Sequence, residues 1–364
     1  MPSKYEAVKN ALKKDILTGK FSIDAKLPTE SQLMQQFEVS RHTVRRAVSD
    51  LENEHFIYKV QGGGMFVADW QKDWQAETKN KTIGVICTHI ADYIFPKIIS
   101  GIDKVLAQND YTLLLANTHN NHQRERSSLI NMLDMKVAGL IIEPTQSALP
   151  NPNLDLYQEI KKRQIPTIFL NATYPDLDFP ALVVNDKQAE KQLVEHLFDQ
   201  GHHNILGIFQ VDDQQGVARM NGYLEAYQNN SKYALDSQII MYHASDPLEL
   251  LEKRVLDHLN SPTPPTALAC YNDELAIRLI DLLKRNNYQI PNDISVVGFD
   301  NYEITKYLDP SLTTMNHAKE KMGACAGEMI TQMILKKAKF ETKIYEANFI
   351  PRASTAKNKT LFSP

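Results

Sequence analysis

From Thr82 onward, short apolar runs recur between amphipathic stretches. They are TIGVICTH (82–89), YTLLLAN (111–117), AGLIIEP (138–144), PTIFLNA (166–172), NILGIF (204–209), SQIIMYH (237–243), TALACYN (266–272) and ISVVGFD (294–300). Helical spacing separates them, for instance over 96–108, 187–200 and 273–286. Strands that are apolar along their whole length need cover on both faces, the condition of a parallel sheet with helices above and below. A rhythm sustained this far suits two doubly wound α/β lobes. Ligands of such folds sit at the carboxyl ends of the strands.

Residues 1–68 follow a different plan. Tyr5, Val8, Leu12 and Ile16 fall at three- and four-residue spacing, the stripe of an amphipathic helix, and Gly19 stands where a helix-terminating glycine belongs. Thr29 followed by Gln32 is a capping box, with Pro28 just upstream. It predicts a helix from Glu30 to about Phe37 with Leu33, Met34 and Phe37 inward. After a short break Ser40 can cap a further helix whose buried stripe is Val44, Ala47, Val48 and Leu51. Two strand-like runs follow, 57–60 and 65–67, joined through Gly62, Gly63 and Gly64. Helix-turn-helix plus a glycine-tipped hairpin is the plan of a winged helix, an α+β domain that usually holds DNA.

The last of these helices leaves Arg41, His42, Thr43, Arg45 and Arg46 on its exposed side, a face read as carrying no acid. Arginine at a helix N-terminus opposes the macrodipole and costs a few tenths of a kcal/mol, about 0.3 or more. Stability alone would not place it there. An arginine fork grips guanine or phosphate, worth about 1–3 kcal/mol per good base contact. Thr43 suits a phosphate or a thymine methyl. Glycines at the hairpin tip let backbone N–H groups approach a phosphate or a groove, with Lys59 and Gln61 supplying polar contacts. An isolated arginine cluster is ordinarily a solvated helix face; the adjoining wing shifts the reading to DNA.

The stretch PTESQLMQQFEVSRHTVRRAVSDL…QGGGMFV resembles the DNA-binding domain of the gluconate-repressor (GntR) family over residues 1–68. The resemblance implies a helix-turn-helix from Glu30 to Ser49, with Arg41, Thr43 and Arg45 as main recognition contacts and the wing on the minor groove. The candidate DNA-binding set is Glu30, Ser40, Arg41, His42, Thr43, Arg45, Arg46, Lys59, Gln61, Gly62, Gly63 and Gly64. A polar segment, 69–81, follows and holds both tryptophans, Trp70 and Trp74. It reads as a linker whose tryptophans pack on a neighbouring domain.

In the body, polar residues just past the strands form the candidate site: Tyr93, Phe95, Glu143, Asn171, Arg219, Asn272, Asp273 and Asp300. Carboxylates accept from paired hydroxyls, arginine donates to ring or hydroxyl oxygens, and an aromatic ring covers an apolar sugar face. Each alone is ordinary loop or cap chemistry, and Asp273 could simply cap a helix; their convergence at strand ends is what points to a ligand. The segments GHHNILGIF…ARMNGY, PTALACYNDELA, IPNDISVVGFDN and PSLTTMNHAKEKMG resemble the effector domain of the lactose- and purine-repressor (LacI/GalR) family over 82 to about 355. That resemblance implies the two-lobed fold of periplasmic sugar-binding proteins, with Arg219 and Asp300 contacting the effector. It also marks a departure: a winged helix replaces that family's own helix-turn-helix and hinge helix.

The expected organisation is therefore a winged helix at 1–68, a linker at 69–81, a two-lobed effector and dimerisation domain at 82–355 and a tail at 356–364. A small group of bacterial arabinose-responsive repressors joins these two halves, and THIADYIFP, IIEPTQSAL, VDDQQGVARMNGY and CYNDE resemble that group. L-arabinose as effector, a homodimer and double-stranded operator DNA as partner are what the resemblance implies. The polar set by itself says only a small polyol or sugar, and another pentose or hexose, or an activating role, stays open.

Bulk properties agree. The chain of 364 residues is 43% hydrophobic and 23% charged, ordinary globular values. Its net charge of −4 is unevenly spread: residues 1–68 hold ten basic and eight acidic side chains, the remainder 30 and 36. A mildly basic head on an acidic body suits a DNA reader carrying another module. The N-terminus lacks a signal-peptide stretch and no apolar run reaches membrane length, so a cytoplasmic protein, on the nucleoid when bound to DNA, is expected without membrane association. Cys87, Cys270 and Cys325 are too far apart for a metal site, and His202-His203 has no further spaced ligand. No GxGxxG after a strand, GxxxxGK[ST] or GxSxG occurs. Neither an enzyme, a resident cofactor nor a metal is expected; a sugar-modifying protein fused to a DNA-binding head is the remote enzymatic alternative.

Overall fold

The computed structural model describes residues 4–60, 63–69, 80–90 and 93–358. Gln61, Gly62, Trp70, Trp74 and residues 359–364 lie outside the described residues. The chain divides into two compact units, Met1–Lys81 with Asp155–Ile165, and Thr82–Leu154 with Pro166–Pro364.

In the first unit α1 (Lys4–Leu17), α2 (Glu30–Phe37) and α3 (Arg41–Asn53) precede an antiparallel hairpin, β1 (Ile57–Val60) and β2 (Gly64–Val67). Thr29 caps α2 and makes the full capping box with Gln32; the Ser40 hydroxyl accepts from Thr43 N at 3.3 Å to cap α3. The stripes close on one another: Val8, Leu12, Ile16, Leu33, Val44, Val48, Leu51, Ile57 and Val67 form one core. Burial of these apolar faces, rather than the propensity of helices this short, holds the head together.

The second unit carries two parallel sheets. The first lobe is built on β3 (Thr82–Cys87), β4 (Thr112–Asn117), β5 (Gly139–Ile142), β6 (Thr167–Leu170), β7 (Ala181–Val184) and β13 (Lys343–Tyr345), in the order β13-β7-β6-β5-β3-β4. Every pair in it is parallel. Its flanking helices include α4 (Phe95–Gln108) and α5 (His122–Asp134); α6 (Leu154–Lys162) falls almost wholly within the segment grouped with the first unit. The second lobe holds α7 (Asp186–Asp199), β8 (Ile205–Gln210), α8 (Gln214–Asn229), β9 (Gln238–Tyr242), α9 (Leu248–Leu259), β10 (Ala267–Cys270), α10 (Asp273–Arg285) and β11 (Ser295–Val297). Its sheet order is β11-β10-β8-β9, again all parallel. A small antiparallel pair, β12 (Thr314–Asn316) with β14 (Asn348–Ile350), completes it.

All eight apolar runs are strands. The chain passes from the first lobe to the second near Asn185, returns at 317–319 into α11 (Lys319–Lys336), and crosses again between β13 and β14. Helix α11 lies tightly on α4: a Cβ on Gly323 would stand 2.1 Å from Ile98 O. Both faces of the second sheet are packed, with Leu206, Val255 and Leu279 in one cluster and Leu193, Phe209 and Tyr223 in another. The body extends past residue 355, since Ala356 N donates to Ser295 and Asn358 N donates to Gln200 O at 2.8 Å.

Candidate functional site

On the head, Arg41 and Arg45 are 62% exposed, and His42 and Arg46 are exposed beside them. Their face does carry an acid, contrary to the sequence reading. Glu30, the first residue of α2, accepts from Arg41 Nε at 3.2 Å and from Arg45 Nε at 3.1 Å. It comes from a different helix, so spacing within α3 could not reveal it. An exposed pair of this kind is worth about 0–1 kcal/mol. Glu30 therefore orients the two forks without locking them in place. Arg46 lies over the Tyr5 ring at 4.0 Å, and Lys59 pairs with Glu52. Ser40 and Thr43 hydroxyls are 2.9 Å apart at the helix start. At the wing, Gly64 adopts φ +113°, which only glycine takes without strain, and Gly63 N donates to Val60 O.

In the body, a cleft of about 400 Å³ opens between the lobes at the carboxyl ends of the strands. Tyr93, Phe95, Glu143, Asn171, Arg219, Asn272 and Asp300 all line it. Arg219, on α8, is its centre. Nε donates to Asp186 Oδ1 at 2.8 Å, Nη1 to Tyr271 O at 2.6 Å and Nη2 to Asp300 Oδ1 at 3.3 Å, while the guanidinium stacks 3.6 Å from the Phe299 centroid. Burial works to raise the Asp300 carboxyl, but Arg219, His317 and Tyr93 outweigh it and hold the group below the ordinary carboxylate range. Burial wins at Asp186, whose carboxyl is raised despite Arg219. Asp300 has φ +95°, a conformation that side chains resist and that is retained at functional sites.

On the first-lobe wall, Glu143 accepts from Thr88 N at 2.9 Å, from Thr88 Oγ1 at 2.6 Å and from Asn171 Nδ2 at 2.7 Å. Burial raises its carboxyl, and these bonds pull the other way. Asn171 Oδ1 and both ring nitrogens of His317 are buried with no hydrogen-bond partner. His317 Nδ1 stands 3.7 Å from Asp300, too far for a hydrogen bond. Buried polar atoms are ordinarily satisfied, so these unpartnered atoms on the cleft wall are left open to hydrogen bonding. Asp213 also lines the cleft, capping α8 through Gly216 N at 2.6 Å and accepting from Tyr271 at 2.6 Å. Burial pushes its carboxyl up to about 7.

Asp273 is a correction. It does not line the cleft; Tyr302 N and Thr314 Oγ1 each donate to its carboxylate at 2.7 Å. The cap of α10 is its neighbour Asn272, which accepts from Leu275 N at 2.9 Å and faces the cleft. One step along the helix start turns Asp273 behind the wall, where burial raises its carboxyl to about 8. Asp186, Asp213, Tyr271 and His317 were not singled out as site residues by sequence. Among the described residues no metal-binding cluster of His, Cys, Asp or Glu is found, and no helix is long and apolar enough to cross a membrane.

Residues 4–67 match the bacterial regulatory proteins of the gntR family, and residues 194–355 match the periplasmic binding protein-like domain family. Over 360 residues the chain is 39% identical to an arabinose metabolism transcriptional repressor of Geobacillus stearothermophilus, covering 97% of each. The chain belongs to the arabinose metabolism transcriptional repressor family. A second such repressor, from Halalkalibacterium halodurans, is 36% identical over 99% of this chain and 98% of its own. A periplasmic binding protein/LacI transcriptional regulator from Alkaliphilus metalliredigens, solved with D-xylulofuranose, superposes with a TM-score of 0.66 at 25% identity, over 76% of this chain and 99% of that one. The chain is thus a sugar-responsive, DNA-binding transcriptional repressor, with a GntR head and a LacI-like effector fold. The repressor's Arg219 and Asp300 sit together in its cleft.

Proposed function

We propose that the repressor's effector is L-arabinose, bound in the inter-lobe cleft, and that binding releases a homodimer from its operator. The near full-length similarity to two repressors named for arabinose metabolism carries this reading. The cleft chemistry supports it. Arg219 and Asp300 offer a donor and an acceptor to vicinal hydroxyls, Glu143 with Asn171 meets the sugar from the facing lobe, and Phe95 and Tyr93 present ring surface. Arg41, Thr43 and Arg45 read bases or phosphates, with Glu30 holding the arginines ready and His42, Arg46, Lys59 and the wing beside them. One small head reads few bases, so two heads on a pseudo-palindrome fit the sequence requirement of an operator.

A thermal-shift panel of pentoses and hexoses tests the sugar, because a ligand that binds only the native fold raises its melting point. L-arabinose is expected to give the largest shift. No shift with L-arabinose beside a clear shift with another sugar overturns the assignment. Sedimentation is expected to show a dimer with and without DNA, and a monomer in both overturns that part.

A further inference from the structure

We propose that Gln214 is a positioning residue of the sugar response, a clip that draws the lobes together without touching the sugar. This rests on the reading above that L-arabinose binds in the inter-lobe cleft, where a sugar held by both lobes favours their closure. Gln214 opens α8 in the second lobe. Its backbone N–H donates to Ser147 Oγ in the first lobe at 2.9 Å, and its Oε1 accepts from Thr173 N at 3.0 Å and from Thr173 Oγ1 at 3.3 Å. Ser147 and Thr173 belong to the loops after β5 and β6. Beside them Ala148 N donates to Asp212 O at 3.3 Å.

The arrangement makes α8's N-terminus depend on both lobes. A helix start leaves its first N–H groups without intrahelical partners. Asp213 takes the one on Gly216; the other lobe's Ser147 takes the one on Gln214. There is no slack in this turn, since a Cβ on Gly216 would stand 1.8 Å from Gln210 O. Gln214 is not part of the cleft wall, but Asp213 and Gln215 on either side of it are, and Arg219 follows on the same helix. Separation of the lobes therefore removes partners from the same helical turn that presents the sugar-binding face. Tyr93 makes a comparable bond across the cleft, donating to Asp300 Oδ2 at 2.6 Å, but it lines the cleft and cannot separate closure from ligand contact.

The test uses full-length repressor with Gln214→Ala, Gln214→Leu and Gln214→Glu, titrated calorimetrically with L-arabinose and followed by small-angle scattering. Losing the acceptor lowers the population of the closed state before sugar arrives, and apparent affinity falls in proportion. Gln214→Ala and Gln214→Leu are expected to bind sugar about tenfold more weakly, the effect of two ordinary hydrogen bonds. Gln214→Glu keeps an acceptor oxygen and is expected to stay within about threefold of wild type. Sugar-free Gln214→Ala should be more expanded than wild type, and the two should coincide at saturating sugar, with operator binding by the sugar-free protein retained. Unchanged affinity in Gln214→Ala, or equal losses in the Ala and Glu variants, overturns the proposal. A wild-type protein that binds operator but no L-arabinose overturns the effector reading itself.

Discussion

Arg219→Ala is the most demanding perturbation of the cleft, because it tests how the repressor keeps two carboxylates out of water. The guanidinium lies 2.8 Å from Asp186 and 3.3 Å from Asp300, and all three side chains are 5% exposed. Removing one partner from such a buried group leaves uncompensated charge and costs about 3–5 kcal/mol. Against a typical native stability of about 5–15 kcal/mol, that is a large fraction. The sign with pH follows from Asp300. Its folded carboxyl is held below the ordinary range, so its contribution is present above the ordinary pKa and lost as pH falls through the folded one. In Arg219→Ala that contribution is gone. The deficit should be greatest near neutral pH and shrink toward acid. Urea unfolding of the full-length protein, compared at pH 7 and below the ordinary carboxylate value of about 4, measures it. Adding Asp186→Asn should recover part of the loss, since one stranded carboxylate disappears and contacting residues couple. A loss at pH 7 below about 1 kcal/mol, or one that does not change with pH, refutes the reasoning, since surface ion pairs are worth that little.

Glu190, on α7, is fully buried with both carboxylate oxygens unpartnered, and burial raises its carboxyl to about 8. A raised carboxyl keeps its proton in the folded state while the unfolded chain has lost it, so it lowers stability increasingly as pH rises from the ordinary value toward 8. Glu190→Gln should remove that slope, up to about 1.4 kcal/mol per pH unit, and gain most over wild type near pH 8 in thermal unfolding. Arg45→Ala should weaken operator binding by about 1–3 kcal/mol and relax base preference at one position; a loss uniform across operator sequences in gel-shift assays would make Arg45 a phosphate anchor instead.

Elements with their own pattern were legible from the chain; contacts between elements were not. Eight of the strands from Thr82 onward and the Thr29 and Ser40 caps each carry a local signal, apolar length or a hydroxyl before a helix. Lys343–Tyr345 and Asn348–Ile350 are three residues each, and their partners Ala181–Val184 and Thr314–Asn316 are distant, so pairing rather than pattern makes them strands. Arg219 and Asp300 were expected from the family resemblance. Asp186 carries no local mark of a site, standing simply as an acid in the first turn of α7, and only the crossing of α7 and α8 aims it at Arg219. Glu30 stands in the candidate DNA-binding set, but its pairing with the arginines stayed hidden for the same reason, since the angle between α2 and α3 brings it to Arg41 and Arg45. Asp273 shows the limit of resolution: one residue of helical rotation separates a cleft wall from the core behind it.

The central claim is that sugar in the cleft governs DNA binding by the head, and operator affinity with and without L-arabinose tests it most directly. A ligand shifts such an equilibrium only through its different affinity for the two states, typically about 1–3 kcal/mol of coupling. Fluorescence anisotropy on labelled operator, at saturating L-arabinose and with none, is expected to show a drop in affinity of about 5–150-fold. Equal operator affinity in the two conditions, with sugar binding verified by calorimetry in the same buffer, would contradict the account.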